Sequence, residues 1–547
     1  MIKPVVEISL FGACIVRSAE KDVFELTGAK HKALIVLLAT APFGRRTRDF
    51  LRKALWQLAR HDSGSQNLRK AISDIKRQLG EYFDDLIVTN NTDVTLDLTK
   101  VKFIGRPGCG EFLEGLKLPE KVFQDWLNGM RKNPEQIYSL YSNTRQAPAA
   151  ASVPLIAILP FQLVFGCKKY AMLGDWLAQE VCRSLSRSNL LSVISHLSSR
   201  EYVKNIIEIE SVRARLNVDY CVSGSLREID GKIVIDADFI DATTGRILWT
   251  RQFDGLANEY MDRYSVGIAE VVRAIGGSIA DDAISYAKSR SLAELEDHRI
   301  LVAGVSLMHQ PTLKAFAKSR DLIEEAVRRT PAAAEVHAWR GNWYVLSVFN
   351  GWSTNPQADT KMAVDSTARA LDLDPENAFC LTMDGFVHNN LLQQLDIAKT
   401  RYDSALQNNP NESLSWLMKG ALHAFRDESD AAIAAANKAV QLSPIDPFGY
   451  FYDTLNATAH LSGGEYQRAL DFANKSIEKN NRHLSTLRVK ISALHHLGKS
   501  EEAKKTASDL MRRQPDFTVA KYLKKHPAAD SKTGKELAMA LKASGIK

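Results

Sequence analysis

Cysteine is scarce in this chain, with six in 547 residues, at positions 14, 109, 167, 182, 221 and 380. No two stand as CxxC, and no Cys/His grouping has the spacing of a zinc site. A disulfide framework and a structural metal are therefore not expected, and the thiols read as reduced and mostly buried in a cytoplasmic protein. Long apolar runs are missing as well. The most apolar stretch, residues 153–167, is too short to span a bilayer and contains Pro160 and Gln162. No secretory leader is read at the start, and membrane insertion is not expected. Catalytic signatures are also absent. Ser223-Gly224-Ser225 lacks the elbow, the His partner and the oxyanion glycines that a serine nucleophile needs. Asp236 and Asp238 read as solvated carboxylates on one strand face, and Asp241 as bonding its own turn. His495 and His496 are adjacent rather than four apart, which does not suit a helical metal site. The expectation is a protein that is not an enzyme and takes no cofactor and no metal.

What is present points elsewhere. The length bounds the chain at three or four domains. With 25% charged and 45% hydrophobic residues, it has the composition of an ordinary soluble protein. The net charge of +7 is unevenly placed. Residues 1–80 hold fifteen Lys/Arg against seven Asp/Glu, a net +8 that leaves −1 for the rest. Such a cationic region is where a polyanion would bind. Within it, residues 67–79 carry the sharpest pattern. Leu68, Ile72, Ile75 and Leu79 recur at helical spacing, while Arg69, Ser73, Lys76 and Arg77 fall together on the opposite side. A helix with this face suits a DNA major groove, where its cations meet phosphates or guanine edges. A solvated surface helix would show the same charges, so the neighbouring elements decide between the two.

Ile8, Leu10, residues 14–16 and then 23–26 read as short strands. A helix follows over 30–41, ended by Pro42 and Gly44. Thr47 is a suitable N-cap for a second helix, 48–58, packed through Phe50, Leu51 and Leu55. A polar loop over 60–65 leads to the cationic helix. Residues 87–96 read as a hairpin turned by Asn90-Asn91, since Asn tolerates positive φ. In this order, with KALIVLL at 32–38, RDFLRKALW at 48–56, residues 67–80 and VTLD at 94–97, the segment 1–105 resembles a winged helix-turn-helix of the OmpR/PhoB type. It is most similar to the branch found in SARP/BTAD-like and HilA-like regulators. The resemblance implies that Arg69, Ser73, Lys76 and Arg77 face DNA, with Lys70 flanking them on the phosphates. It implies that Arg45, Arg46, Thr47 and Arg48 hold a phosphate at a helix N-terminus. It places Asn90 and Asn91 at the tip of the wing. Many members of the family carry an upstream receiver domain; here the unit starts at residue 1, and control by aspartyl phosphorylation within the chain is not expected.

Residues 110–131 resemble the opening of the bacterial transcriptional activation domain of SARP-type proteins, with Phe123 and Trp126 read as packing residues. Residues 146–152 are rich in Ala, Pro and Ser, so 106–152 reads as a short helical segment with a linker. From 153 to 285 the pattern is α/β. An apolar run bounded by Pro154 and Pro160 suits a buried strand. A helix over 174–187 follows, and then strands near 191–194, 220–227, 233–239 and 247–249. The IAILPF, LGDWLAQEV, VDYCVSGSLR and DATTGRILW segments resemble a TolB N-terminal-like domain.

From 295 to 525 a repeat is visible. Pro331, Pro375, Pro410 and Pro444 close successive segments, and Gly341, Gly385 and Gly420 stand ten residues after the first three. Ala363, Ala398, Ala432, Ala469 and Ala503 recur at 35, 34, 37 and 34 residues. This register resembles the tetratricopeptide repeat and implies roughly six helix pairs stacked into a solenoid with a concave groove. Trp339, Trp343, Trp352 and Trp416 read as interhelix packing, and 526–547 as a capping tail with loose ends. The fold class expected is multidomain α+β: a winged helix, a middle α/β domain and an all-α solenoid.

These readings imply a cytoplasmic, one-component transcriptional regulator that binds double-stranded promoter DNA, with family resemblance leaning toward activation. The groove would take a protein partner, a peptide or a small ligand, RNA polymerase being one candidate. Two-fold DNA sites would be compatible with a homodimer. The alternative is an accessory or scaffold protein of a cyclase-like signalling system without DNA binding, since the middle domain and repeats resemble parts that accompany class III nucleotide cyclases. Against it, no stretch of the chain is left over for a cyclase catalytic domain.

Overall fold

The computed structural model describes residues 6–19, 24–41, 44–59, 61–104, 110–132, 153–165, 170, 172–200, 209–261, 266–310, 312–442, 448–524 and 526–547. The expected linker over 146–152, together with Pro42, Pro444, Cys109 and Cys167, lies outside them. The chain divides into two compact units. The first is residues 1–150 with 332–338 and 364–384; the second is 151–331 with 339–363 and 385–547.

The first unit opens with β1 (Val6–Ser9) and β2 (Ile15–Ser18), paired antiparallel, with residues 24–26 bonded along β2. Helix α1 (Ala29–Ala39) follows, then a short strand β3 (Arg45–Thr47), α2 (Arg48–Trp56) and α3 (His61–Leu79). A 3-10 turn and the one-turn helix α4 (Phe83–Leu86) lead to the hairpin β4 (Ile87–Thr89) and β5 (Asp93–Leu96). Strand β6 (Val101–Ile104) returns parallel to β1, a pairing the sequence reading lacks because a partner so distant in the chain leaves no local pattern. The sheet orders are β2-β1-β6 and β3-β5-β4. Helix α5 (Lys121–Lys132) closes the unit's core with Phe123, which is fully buried; that core runs on through Met130, beyond the expected boundary at 105.

Three local readings are corrected. The loop expected over 60–65 is helical from His61, because Gly64 lets α3 approach α2: a Cβ there would stand 3.1 Å from Arg52 Cγ. Tertiary contact here overrides the weak helix propensity of Gly and Ser. Residues 45–47 lead into α2 as expected, with Thr47 as its N-cap, but they are also a strand on β5. The hairpin turn does not use positive φ at Asn90 or Asn91. Instead the Asn90 carboxamide oxygen accepts from the Thr92 and Asp93 backbone N–H groups at 2.8 and 2.7 Å.

In the second unit, strands β7 (Leu155–Ile158), β8 (Gln162–Phe165), β9 (Ser192–Val193), β10 (Tyr220–Ile229), β11 (Lys232–Asp241) and β12 (Arg246–Leu256) form a mixed sheet. Its order is β12-β11-β10-β7-β9, with β8 also on β10. Ser223-Gly224-Ser225 is ordinary strand: a Cβ at Gly224 would meet the Asp236 carbonyl oxygen at 2.2 Å. Asp241 bonds its own turn through Thr243 and Thr244 and also pairs with buried Arg299. Helix Val266–Ser289 runs past the expected domain end.

Helical hairpins follow. Helices Ser413–Phe425 and Ser429–Leu442, Gly449–Ser462 and Tyr466–Lys479, and Leu484–His496 and Ser500–Arg513 pack pairwise. The recurrent alanines at 363, 398, 432, 469 and 503 are all buried. They are small because helices cross there. Gly385 and Gly420 serve the same end: a Cβ on Gly385 would stand 2.5 Å from the Tyr402 ring, and one on Gly420 3.1 Å from the Ala432 carbonyl oxygen. The tail is not loose. Helix Lys532–Ala543 packs on Leu484–His496, Ile546 is buried, and the Val519 N–H donates to the Lys547 carbonyl at 2.7 Å.

Candidate nucleic-acid interface

Helix α3 is built as two faces. Leu68, Ala71, Ile75 and Leu79 are buried in the core of the first unit, and Ile72 packs at its margin. One-residue steps of about 100° carry the intervening side chains outward. Arg69, Lys70, Ser73, Lys76 and Arg77 are all exposed. Arg69, Ser73 and Lys76 line one depression of about 470 Å3 with Val88 and Thr89 of β4. Val88 is an exposed apolar side chain on its rim. Asn90 and Asn91 stand exposed at the hairpin tip. The helix face and the hairpin edge thus share one surface.

The cations on that surface are held loosely. Lys76 Nζ pairs with Asp84 at 2.7 Å and Arg77 with Asp74 at 2.8 Å, both with exposed cations. Exposed pairs of this kind are worth at most about 1 kcal/mol, so a phosphate can replace the carboxylate. Arg48 donates from Nε to the Asn90 carbonyl at 2.6 Å. Burial, and next the charge of neighbouring Arg69, hold its guanidinium below the usual arginine range. Two guanidinium groups that repel each other favour an anion beside them.

Three of the expected phosphate ligands are not available to one. Arg45 pairs with buried Asp93 at 2.9 Å and donates to the Pro375 carbonyl. Arg46 is 6% exposed, donates to the Asp372 carbonyl at 2.8 Å and lies over the Phe50 ring. Thr47 is buried, caps α2 by accepting from the Phe50 N–H, and lies 3.4 Å from the Asp372 carboxylate. The physical reason is that residues 364–384 pack within this unit and cover β3. Lys53 joins the same contact, paired with Asp49 and Asp365. Of the expected phosphate set at 45–48, Arg45 and Arg48 keep partial exposure, and Arg45 is already paired with Asp93. Sequence reasoning missed all the acids concerned. Asp74, three residues before Arg77 on one helix, was open to it; Asp84, Asp93, Asp365 and Asp372 carry no local signal.

Elsewhere the described residues offer no group of three or more His, Cys, Asp or Glu side chains placed to hold a metal ion. No described helix is long and apolar enough to cross a membrane. Cys14, Cys182, Cys221 and Cys380 are buried thiols outside any disulfide. Burial pushes Cys14 up to about 11 and Cys182 and Cys221 to about 12, which keeps them protonated and inert as nucleophiles.

No family model matches the chain. A Rhizobium meliloti (strain 1021) protein named "Putative adenylate cyclase 3" is 25% identical over 240 residues, which cover 43% of this chain and 41% of that protein. The chain therefore spans less than half the length of the curated relative it matches. Among solved structures it is similar to a tetratricopeptide repeat protein from Parabacteroides merdae ATCC 43184, at 16% identity over 43% of this chain and 87% of that one, with a TM-score of 0.26. A thermophilic TPR protein of Thermus thermophilus is 20% identical over 36% of this chain and 97% of that one, with a TM-score of 0.28. TolB from Acinetobacter baumannii is 20% identical over 24% and 30%, with a TM-score of 0.19. The helical repeat itself rests on the packed hairpins and small-residue register described above.

Proposed function

We propose that the chain is a sequence-specific DNA-binding transcriptional regulator of the winged-helix type, with α3 as the reading helix and β4–β5 as the wing. One observation carries this reading. Arg69, Lys70, Ser73, Lys76 and Arg77 of α3 are exposed opposite a buried stripe, and three of them share a depression with the hairpin. Arg69, Ser73, Lys76 and Arg77 meet base edges or nearby phosphates, and Lys70 and Arg48 hold the flanking backbone. The helical repeat, tetratricopeptide-like in its register, recruits a protein partner, RNA polymerase being one candidate for an activator. The test is capture of genomic DNA fragments by the purified full chain, followed by gel-shift titration of the recovered sites. Saturable binding that weakens steeply with salt is expected. Recovery of background sequence only, from folded protein, overturns the reading.

A second reading is a scaffold in a signalling system, without DNA binding. Two observations favour it: residues 364–384 occupy Arg45, Arg46 and Thr47, and the curated relative is named as a cyclase. Background-only recovery of DNA would leave this reading in place.

A further inference from the structure

In the second unit a cavity of about 520 Å3 lies between helices Leu173–Leu185 and Val266–Ser289 and the helical repeat. This is the size of a small-molecule site. Rings of Trp339, Phe448 and Tyr450 line one side. Two independent features mark it as more than a packing gap.

The first is a pair of glycines. Gly276 and Gly277 sit in the interior of helix Val266–Ser289, where glycine is costly relative to alanine. Gly304, Gly385 and Gly420 have packing reasons, since a Cβ at each would press on a neighbouring element. At Gly276 and Gly277 a Cβ would meet nothing within 4 Å, and both residues line the cavity. Gly276 is half-buried and Gly277 exposed, so the bare helix backbone borders the open side of the cavity, which side chains would otherwise narrow.

The second is a pair of buried polar atoms. Ser306 Oγ and His309 Nε2 are buried without a hydrogen-bond partner, and both residues line the cavity. Leaving such atoms unpaired is unfavourable unless something visits them. His309 is fixed from behind: its ring stacks on Phe448 at 3.8 Å, and its Nδ1 is bonded to the Tyr450 hydroxyl at 2.8 Å. Burial, and next the neighbouring His483, pull its pKa down to about 3, so the ring is neutral.

The charges around the cavity are already engaged or balanced. Glu412 accepts from Asn189, Lys479 pairs with Asp453 at 2.6 Å, and Arg187 donates to the Leu442 carbonyl at 2.8 Å. Arg273 and Asp281 are exposed and opposite in sign. Nothing there selects a charged ligand, whereas aromatic rings on one side and two neutral hydrogen-bonding atoms select a planar one.

We propose that this cavity binds a small, neutral heteroaromatic molecule, seated against Gly276-Gly277 and hydrogen-bonded to His309 Nε2 and Ser306 Oγ. The site goes beyond the regulator reading and does not rest on it, because its readout is ligand occupancy rather than DNA affinity.

The test titrates the full chain with adenine, indole and quinoline, followed by tryptophan fluorescence and ligand-observed saturation-transfer NMR. At least one probe is expected to bind saturably. Gly276→Leu, which fills the space, is expected to weaken that binding at least tenfold while leaving the circular dichroism spectrum unchanged and Tm no lower. Ser306→Ala removes one hydroxyl and tests the site independently of any volume change; a several-fold loss is expected. Failure of all three probes to saturate, or equal binding by wild type and Gly276→Leu, overturns the proposal.

Discussion

Arg69 and Arg77 lie on the same face of α3 but are held differently. Arg77 is tied to Asp74, and no ion pair of Arg69 is found among the described residues. Arg69→Ala is expected to cost about 1–3 kcal/mol of specific DNA binding, and Arg77→Ala a loss at the lower end of that range. Asp74→Asn is expected to strengthen binding by up to about 1 kcal/mol, because it frees Arg77 and removes an anion from the face. Fluorescence anisotropy across a salt series reads all three, and unchanged affinity for both arginine variants counts against the placement of this helix. The cationic residues of the candidate interface were legible because a single helix period sorts them. Their partners were less so: Asp84 reaches Lys76 only after the chain has turned through α4.

At the scale of elements, what the sequence revealed followed length and periodicity. Helices α2 and α3 and the β4–β5 hairpin were read from stripes, a cap and a turn. Strands β3 and β6 were invisible: β3 is Arg45-Arg46-Thr47, without an apolar residue, and β6 is held by pairing with distant β1, which no local pattern records. The repeat was legible because small residues at fixed spacing record where helices must touch. Gly385→Ala tests that record. In an exposed helix this change would stabilise by about 1 kcal/mol. Here the new methyl would press on Tyr402, and a net loss of about 1–3 kcal/mol is expected in urea denaturation. Stabilisation instead would mean that the two helices do not cross so closely.

At the scale of the molecule, the first unit is completed by residues far away in sequence. Asp372 meets Arg46 and Thr47 across more than 320 positions. No local period announces such a contact, so the engagement of Arg45, Arg46 and Thr47 could not be read from sequence. The contact is also titratable. Burial pushes the Asp372 carboxyl from 3.8 up to about 7, against the opposing pull of Arg46 and Arg369. A carboxyl whose folded pKa lies above its unfolded value binds its proton more tightly in the folded state. Its contribution therefore favours folding fully below about pH 4 and is lost as pH rises toward 7. The denaturation midpoint of the first unit is expected to carry a component that falls over this window, and Asp372→Asn to flatten it. An identical pH profile in the variant would show that the carboxyl does not titrate there.

The four buried sulfhydryls have a practical consequence. Cys14 sits in the core beside α1, Cys182 and Cys221 lie in the β7–β12 domain, and Cys380 lies in a repeat helix. An alkylating reagent can reach each only when its own surroundings open. With Cys109 and Cys167 changed to Ser, labelling rates read by peptide mass spectrometry would give the chain a set of internal clocks. Each would time the breathing of one neighbourhood, and together they would rank which part lets go first.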